Sequence, residues 1–151
     1  MKLTIKQALK QAVSFHEEGK IQDAERLYRA ILQSEPLHPD ANHNLGVLAV
    51  SGNKAGAALS LFKTALKANP KREQFWFSYI DALIREQNFE AAKQVIEQVK
   101  SKGMAAEKLT IFEKQLLSQN QVSESQLAPQ KKKSDTTISP TDIEINKLLL
   151  A

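Results

Sequence analysis

The sequence lacks cysteine and has few residues that interrupt regular secondary structure. Of its 151 residues, five are glycine, five are proline and 6% are aromatic. Without cysteine, disulfide scaffolds, thiolate metal sites and cysteine nucleophiles are excluded. A fold of many short strands needs turn residues such as glycine and proline about every 8–12 positions. Glycine and proline are less frequent than that in this chain. These absences disfavour a β-sandwich or a β-barrel.

Long apolar runs and a strong charge imbalance are also absent. No stretch approaches the roughly 18 consecutive apolar residues of a membrane helix. The N-terminal segment, MKLTIKQALK, lacks the apolar core of a signal peptide. The net charge is only +4, and no basic stripe with interleaved aromatic residues occurs. We therefore expect a cytoplasmic protein that has neither a membrane partner nor a nucleic-acid partner.

Known catalytic signatures are missing as well. The histidines His16, His38 and His43 do not have the spacing of metal ligands on one helix. The sequence has no glycine-rich phosphate loop after a strand and no G-x-S-x-G nucleophile motif. Acidic residues are scattered, so that no general acid–base pair can be assigned. We expect no enzymatic activity, no cofactor and no metal in this chain.

What the sequence does contain is a repeat with a period of 34 residues. Small residues recur in one column: Ala24, Ala58 and Ala92. Bulky residues recur four positions later: Tyr28, Phe62 and Ile96. Pro36 and Pro70 end the first two units, and the register places the units at 5–38, 39–72 and 73–106. Apolar residues at helical spacing predict two helices in each unit.

The period, the small-residue column, the helix-ending prolines and the Leu45-Gly46 pair resemble the tetratricopeptide repeat family. The resemblance covers residues 5–106 and implies an all-α fold. It implies a right-handed superhelical solenoid of three helix-turn-helix repeats plus a capping helix. The sequence departs from the family at Ala8 and Gln11, where large apolar residues are usual, and the third unit lacks its closing proline. A generic helical bundle is the alternative that the period disfavours.

Residues 105–118 are predicted to form the capping helix, so that the repeat domain spans 1–119. One side of this helix is apolar: Leu109, Phe112, Leu116 and Leu117. Residues 120–140 are too polar to bury much surface and are predicted to be a disordered linker. Residues 141–151 follow an N-cap pattern and are predicted to start a further helix. Because the chain stops on an apolar run, we expect a fragment of a longer protein, with a docking tail as the alternative.

The family resemblance implies a protein-interaction module that binds a peptide or protein segment in a concave groove lined by the first helices, in a scaffold or adaptor role. We predict the following groove residues: Lys10, Val13, His43, Asn44, Val47, Val50, Phe77, Asp81, Ile84 and Arg85. Trp76 is predicted to lie in the core instead. Leu9 and Val13 stand where chaperone-tail-binding members have Lys and Asn. We therefore do not expect capture of acidic chaperone tails.

A second hypothesis makes the chain the N-terminal recruiting arm of a larger enzyme. Residues 24–50 are similar to repeats that precede the catalytic domains of bacterial glycosyltransferases related to O-linked N-acetylglucosamine transferase, and of repeat-bearing sulfotransferases. The coding sequence downstream of Ala151 discriminates between the two hypotheses. The sequence names neither the partner nor the oligomeric state.

Overall fold

The computed structural model describes residues 2–104 and 106–127, and within these ranges it contains seven α-helices and no strand. The helices are α1 (Ile5–Glu17), α2 (Ile21–Ser34), α3 (Pro39–Ser51), α4 (Ala55–Ala68), α5 (Glu73–Arg85), α6 (Phe89–Ser101) and α7 (Ala106–Leu127). The first helix of each unit begins 34 residues after the previous one, at positions 5, 39 and 73, and so does each second helix, at 21, 55 and 89. The predicted all-α class is confirmed.

Side chains of the sequence fix several helix starts. The Thr4 hydroxyl accepts a hydrogen bond from the Gln7 backbone at 3.1 Å, and the Gln7 side chain accepts one from the Thr4 backbone at 3.0 Å. This capping box satisfies two backbone donors at the start of α1. His38 Nδ1 accepts from the Ala41 backbone at 3.1 Å, and Pro39 occupies the first turn of α3.

The turn inside each unit contains one residue in the left-handed region. These residues form a column with positive φ: Gly19 at 79°, Asn53 at 60° and Gln87 at 59°. Glycine adopts this conformation without steric cost and asparagine tolerates it, but a longer side chain such as glutamine is strained there. The turn of the third unit therefore has the same backbone geometry as that of the first, but Gln87 adopts the positive φ less easily than Gly19.

We expect Gln87→Gly to raise the free energy of unfolding by about 1 kcal/mol, because it removes the strain of the positive φ at the cost of some unfolded-state entropy. Urea unfolding of the full chain measures the change. Glu86→Gly is the matched control, since Glu86 has an ordinary φ of −81°. It should leave stability unchanged or lower it. Equal effects of the two glycines would contradict the strain at Gln87.

Close helix crossings are built from small residues opposite large ones. Ala24, Ala58 and Ala92 are fully buried in the described structure. The aromatic ring of Phe62 lies directly against Gly46, so that a Cβ atom at Gly46 would sit 2.5 Å from the ring. The second unit therefore depends on the absence of a side chain at Gly46.

The loops between units are held by side chains of one column. The Trp76 indole donates to the Pro70 carbonyl at 2.7 Å. In the preceding unit, the Asn42 amide donates to the Pro36 carbonyl at 3.0 Å and to the His38 carbonyl at 2.8 Å. Trp76 is buried, as predicted. The hydrogen bonds of Asn42 explain why a polar side chain can be buried at its position.

The first unit presents polar residues where the later units present apolar ones. In α3 and α5 the buried column contains Ala41 and Phe75, whereas Gln7 holds this position in α1 and is exposed. Gln11 is likewise exposed, at the position of Leu45. This accounts for the departure of Gln11 from the family pattern.

The first half of α7 covers the third unit. Leu109 and Leu116 are buried in one cluster with residues of α5 and α6, and Phe112 packs against it. Lys100 of α6 forms an ion pair with Glu113. Leu117, predicted on the same side, is exposed, because it lies a further 100° around the helix from Leu116.

The predicted first residue of the disordered linker is wrong. Helix α7 continues to Leu127, so that residues 120–127 are helical and not a disordered linker. Extending a helix that is already nucleated requires little apolar burial, and for this reason composition alone misplaced its end. Contacts along the chain divide it into two compact parts after Leu116, and this division is separate from that of the 34-residue repeat units. The remaining predicted linker and the predicted helix at 141–151 lie outside the described residues.

Candidate functional site

The predicted groove residues lie on the first helix of each unit, and we call their accessible part the first-helix surface. Two of them are exposed: Lys10 and Arg85. Those that are half-buried are Val13, Asn44, Val47, Val50, Phe77, Asp81 and Ile84. The remaining one, His43, is only 4% exposed and does not belong to the accessible surface.

The apolar members of the first-helix surface rest on the core. Val47 and Val50 pack against a buried cluster of the second unit, and Phe77 and Ile84 pack against that of the third unit. Their other atoms remain accessible. The centre of the surface can therefore make apolar contacts without unfolding any helix.

Two residues of α7 extend this surface beyond the sequence prediction. The Phe112 ring lies 6.2 Å from the Phe77 ring, and the Lys108 ammonium lies 5.5 Å from the Phe77 ring centre. Phe112 stands one repeat period after Ser78, which itself stands one period after Asn44. Continuing the register into the capping helix would have found Phe112 from the sequence.

His43 lies beneath the surface and links two units. Its ring stacks between Phe62 and Phe75, with centroid distances of 5.5 and 4.7 Å. Its Nε2 atom is 2.7 Å from the Ser78 hydroxyl, and its Nδ1 atom is 3.2 Å from Asn44 Oδ1. The prediction of an exposed groove histidine is corrected here, because α5 supplies both an aromatic cover and a polar partner for the ring.

Burial is the main cause of a lowered pKa for His43, and it keeps the imidazole neutral. The Asn44 hydrogen bond and Asp40 raise this pKa, whereas Arg72 lowers it further. A neutral imidazole carries one donor and one acceptor. With Asn44 Oδ1 accepting from Nδ1–H, Nε2 accepts from the Ser78 hydroxyl. The Asn44 NH2 group then has two N–H donors, and the Tyr28 hydroxyl is an acceptor for one of them.

A buried hydroxyl lies near Asn44. Tyr28 is fully buried, and its hydroxyl makes no hydrogen bond of regular geometry among the described residues. Burial raises the pKa of Tyr28, and a side-chain hydrogen-bonding interaction with Asn44 opposes this rise. A buried hydroxyl without a partner is uncommon in folded proteins. Asn44 is therefore the polar side chain that serves the buried Tyr28 hydroxyl at the junction of the first and second units.

Most charges at this surface are paired with each other. Arg85 Nε lies 2.8 Å from Asp81 Oδ2, one turn earlier on α5. Arg72 at the start of α5 lies 2.7 Å from Asp40 of α3, and its guanidinium is 5.2 Å from the Phe75 ring centre. Lys10 has no ion pair within the described part of the chain. Lys108 likewise has no ion pair among the described residues, so that the surface keeps a small positive charge from Lys10 and Lys108.

Neither a metal site nor a membrane span emerges from the described ranges. In residues 2–104 and 106–127, no three His, Asp or Glu side chains are grouped so that they could hold a metal ion. None of the helices in these ranges combines the length and apolar character needed to cross a bilayer.

Family models confirm the origin of the 34-residue period. Two models described as tetratricopeptide repeat match residues 9–62 and 49–106, so that together they span the three units. The chain belongs to the tetratricopeptide repeat family. Comparison with curated proteins gives no match.

Solved tetratricopeptide repeat structures share this fold at low sequence identity. The first repeat domain of Spaghetti (RPAP3) bound to the HSP90 peptide SRMEEVD has a TM-score of 0.67 and 17% identity, covering 77% of this chain and 93% of that one. The Sgt2 repeat domain from Aspergillus fumigatus has a TM-score of 0.65 and 15% identity, covering 81% of both chains.

A bacterial structure shows the same likeness. The Yersinia enterocolitica type III secretion chaperone SycD, in complex with a peptide of the translocator YopD, has a TM-score of 0.63 and 13% identity, covering 83% of this chain and 96% of that one. At these identities the likeness establishes the helical-repeat solenoid and no more. The similarity to repeats of glycosyltransferases and sulfotransferases therefore stays a prediction.

Proposed function

We propose that this chain is a non-catalytic interaction module that binds an extended peptide segment on the first-helix surface, in a scaffold or adaptor role. The observation that carries the proposal is the amide of Asn44, which His43 holds one helical turn from the accessible apolar atoms of Val47. Apolar contact provides affinity, and a few oriented polar groups set the direction of the bound chain.

The comparisons support a peptide as the ligand. The RPAP3 repeat domain is bound to an HSP90 peptide, and SycD is bound to a YopD peptide. Both share the solenoid of this chain. Binding along the first helices agrees with the position of the half-buried apolar residues on α3 and α5.

The chemistry of the surface narrows the class of peptide. The Asn44 NH2 group is a donor at a half-buried position, whereas the Tyr28 hydroxyl near it is buried and out of reach of a peptide. A backbone carbonyl oxygen of an extended segment is an acceptor that fits the Asn44 amide. Leu9 and Val13 supply no charge in the first unit. We therefore propose a segment with apolar side chains and not an acidic tail recognised by its carboxylates.

The test is Asn44→Asp combined with Arg85→Ala. Aspartate keeps an oxygen for His43 but loses the NH2 donor and adds a negative charge, so that the hydrogen bond to His43 is kept while the contact to a peptide carbonyl is replaced by repulsion. A partner isolated with wild-type protein and identified by mass spectrometry should bind the variant more weakly by about 1–3 kcal/mol. Calorimetric titration measures this loss, and circular dichroism should show unchanged helix content.

A matched control lies on the second helices. Arg26, Lys63 and Lys93 are exposed on α2, α4 and α6, and their combined replacement by Ala should leave affinity unchanged. Wild-type affinity in the Asn44→Asp/Arg85→Ala variant, with loss of binding in the triple variant, would move the site to the second helices.

A further inference from the structure

A cleft opens between the first two units, away from the residues proposed to bind a peptide backbone. It has a volume of about 230 Å3 and lies among α2, α3 and α4. Its apolar lining includes Ile21, Leu45, Leu48, Ala57 and Leu61. Ile21 at its edge is 42% exposed, which is high for a large apolar side chain. We call this space the interrepeat cleft.

The next junction has larger side chains at the equivalent positions. One repeat period on, Tyr79 replaces Leu45 and Glu86 replaces Gly52. Tyr79 packs against the buried cluster of α4 that contains Phe62. The Glu86 carboxylate reaches back over α4, to 3.1 Å from where a Cβ atom of Gly56 would be. The chain therefore uses an aromatic ring and a carboxylate at one junction, and leaves both positions small at the other.

The charges at the cleft favour an acidic occupant. Arg29 and Glu25 pair with each other at 2.8 Å along α2. Lys54, at the start of α4, is exposed and has no ion pair among the residues that the structure describes. One positive charge at the edge is thus uncompensated. Opposite charge at an interface increases the encounter rate and selects the partner.

We propose that the interrepeat cleft is a second binding site, which takes one aromatic side chain from an acidic segment of another protein. An apolar cavity of about 150 Å3 is large enough to hold a benzene ring, so that a cleft of about 230 Å3 can accept a tyrosine or phenylalanine side chain. Flanking carboxylates of the segment meet Lys54. The bound ring and carboxylate take the places that Tyr79 and Glu86 have at the second junction.

A defined probe tests this site without knowledge of the natural partner. The probe is the peptide acetyl-Glu-Glu-Tyr-Glu-Glu-amide, titrated into the full chain with methyl groups labelled for NMR. We expect saturable shifts of the methyl signals of Ile21, Leu48 and Leu61. A peptide with alanine in place of tyrosine should bind about tenfold more weakly, because the apolar contact is lost. A peptide with lysines in place of the glutamates should bind more weakly too.

Variants of the protein locate the site. Leu45→Tyr with Gly52→Glu copies the second junction, and it should abolish the shifts and raise the melting temperature. Gly52 has a φ of −88°, and a Cβ there would have ordinary contacts of 3.6 Å or more, so that this substitution fits. If the double variant does not fold, Ala57→Leu narrows the cleft from the exposed side of α4 and should weaken binding. Lys54→Glu should weaken it, whereas Lys63→Glu, the same charge change elsewhere on α4, should not.

Three outcomes would overturn the proposal. The first is that the probe shifts only signals of the first-helix surface. The second is that Ala57→Leu and Lys54→Glu both bind the probe with unchanged affinity. The third is that the methyl signals of the cleft shift with protein concentration alone, which would make a second copy of the chain the occupant. The Asn44→Asp/Arg85→Ala variant should bind the probe as the wild type does. If the probe does not bind in the interrepeat cleft, the proposal for the first-helix surface is not contradicted. If the first-helix surface does not bind a peptide, the proposal for the cleft is not contradicted.

Discussion

Gly46→Ala will destabilise the protein, although alanine is the better helix former. A Cβ atom at this position would lie 2.5, 2.8 and 2.9 Å from three atoms of the Phe62 ring. The ring is 1% exposed and is packed in a buried cluster with residues of α4 and α5. Overpacking of about 3 kcal/mol outweighs the roughly 1 kcal/mol gained in helix propensity. We expect a net loss of about 2 kcal/mol in the free energy of urea unfolding.

Gly56→Ala is the control for this substitution, since Gly56 also lies within a helix. A Cβ there meets only the Glu86 carboxylate, the flexible end of an exposed side chain, at 3.1 Å. Its helix-propensity gain should therefore dominate and raise stability by about 0.5–1 kcal/mol. The two alanine substitutions are predicted to have opposite signs.

A double-mutant cycle identifies the contact. Phe62→Ala alone should cost about 3–5 kcal/mol, because it leaves a cavity in the second unit. In that background the clash is gone, and Gly46→Ala should become neutral or stabilising. If Gly46→Ala costs the same with and without the Phe62 ring, the close approach of the two residues is not what limits this position.

Ala58 shows why the helix pairs could be predicted from sequence. A small residue opposite a large one is required wherever two helices cross closely, and it must recur at each repeat. The columns of Ala58 and Phe62 therefore carry the register directly, and the helices begin where that register places them. Packing constraints of this kind depend on residue size, and residue size can be predicted from the sequence alone to recur at each crossing.

The environment of His43 could not be predicted in the same way. Its polarity and its column place it on the surface, alongside Phe77. The buried position depends on the ring of Phe75 and the hydroxyl of Ser78, which come from another helix at a distance that periodicity does not specify. The end of α7 was missed for a different reason, since burial predicts where a helix docks and not how far its backbone hydrogen bonds continue.

Acidification should destabilise this fold through His43. The buried imidazole is neutral in the native state, because burial lowers its pKa, with Arg72 adding to the effect and Asn44 and Asp40 opposing it. In the unfolded chain the ordinary pKa is about 6.5. Below that pH the unfolded state binds a proton that the native state does not. Stability is therefore fully present above about pH 6.5 and falls as the pH drops towards the native pKa.

The slope below pH 6.5 can reach at most about 1.4 kcal/mol per pH unit, which is the limit for one proton. Urea unfolding at half-unit steps in this window measures it before most carboxylates titrate. His43→Gln keeps a polar side chain without a titrating group and should flatten the slope, at some cost in stability at pH 7. His16→Gln, at a half-buried position on α1, should keep it. Equal slopes in the wild type and in His43→Gln would show that His43 is not the group that links folding to pH.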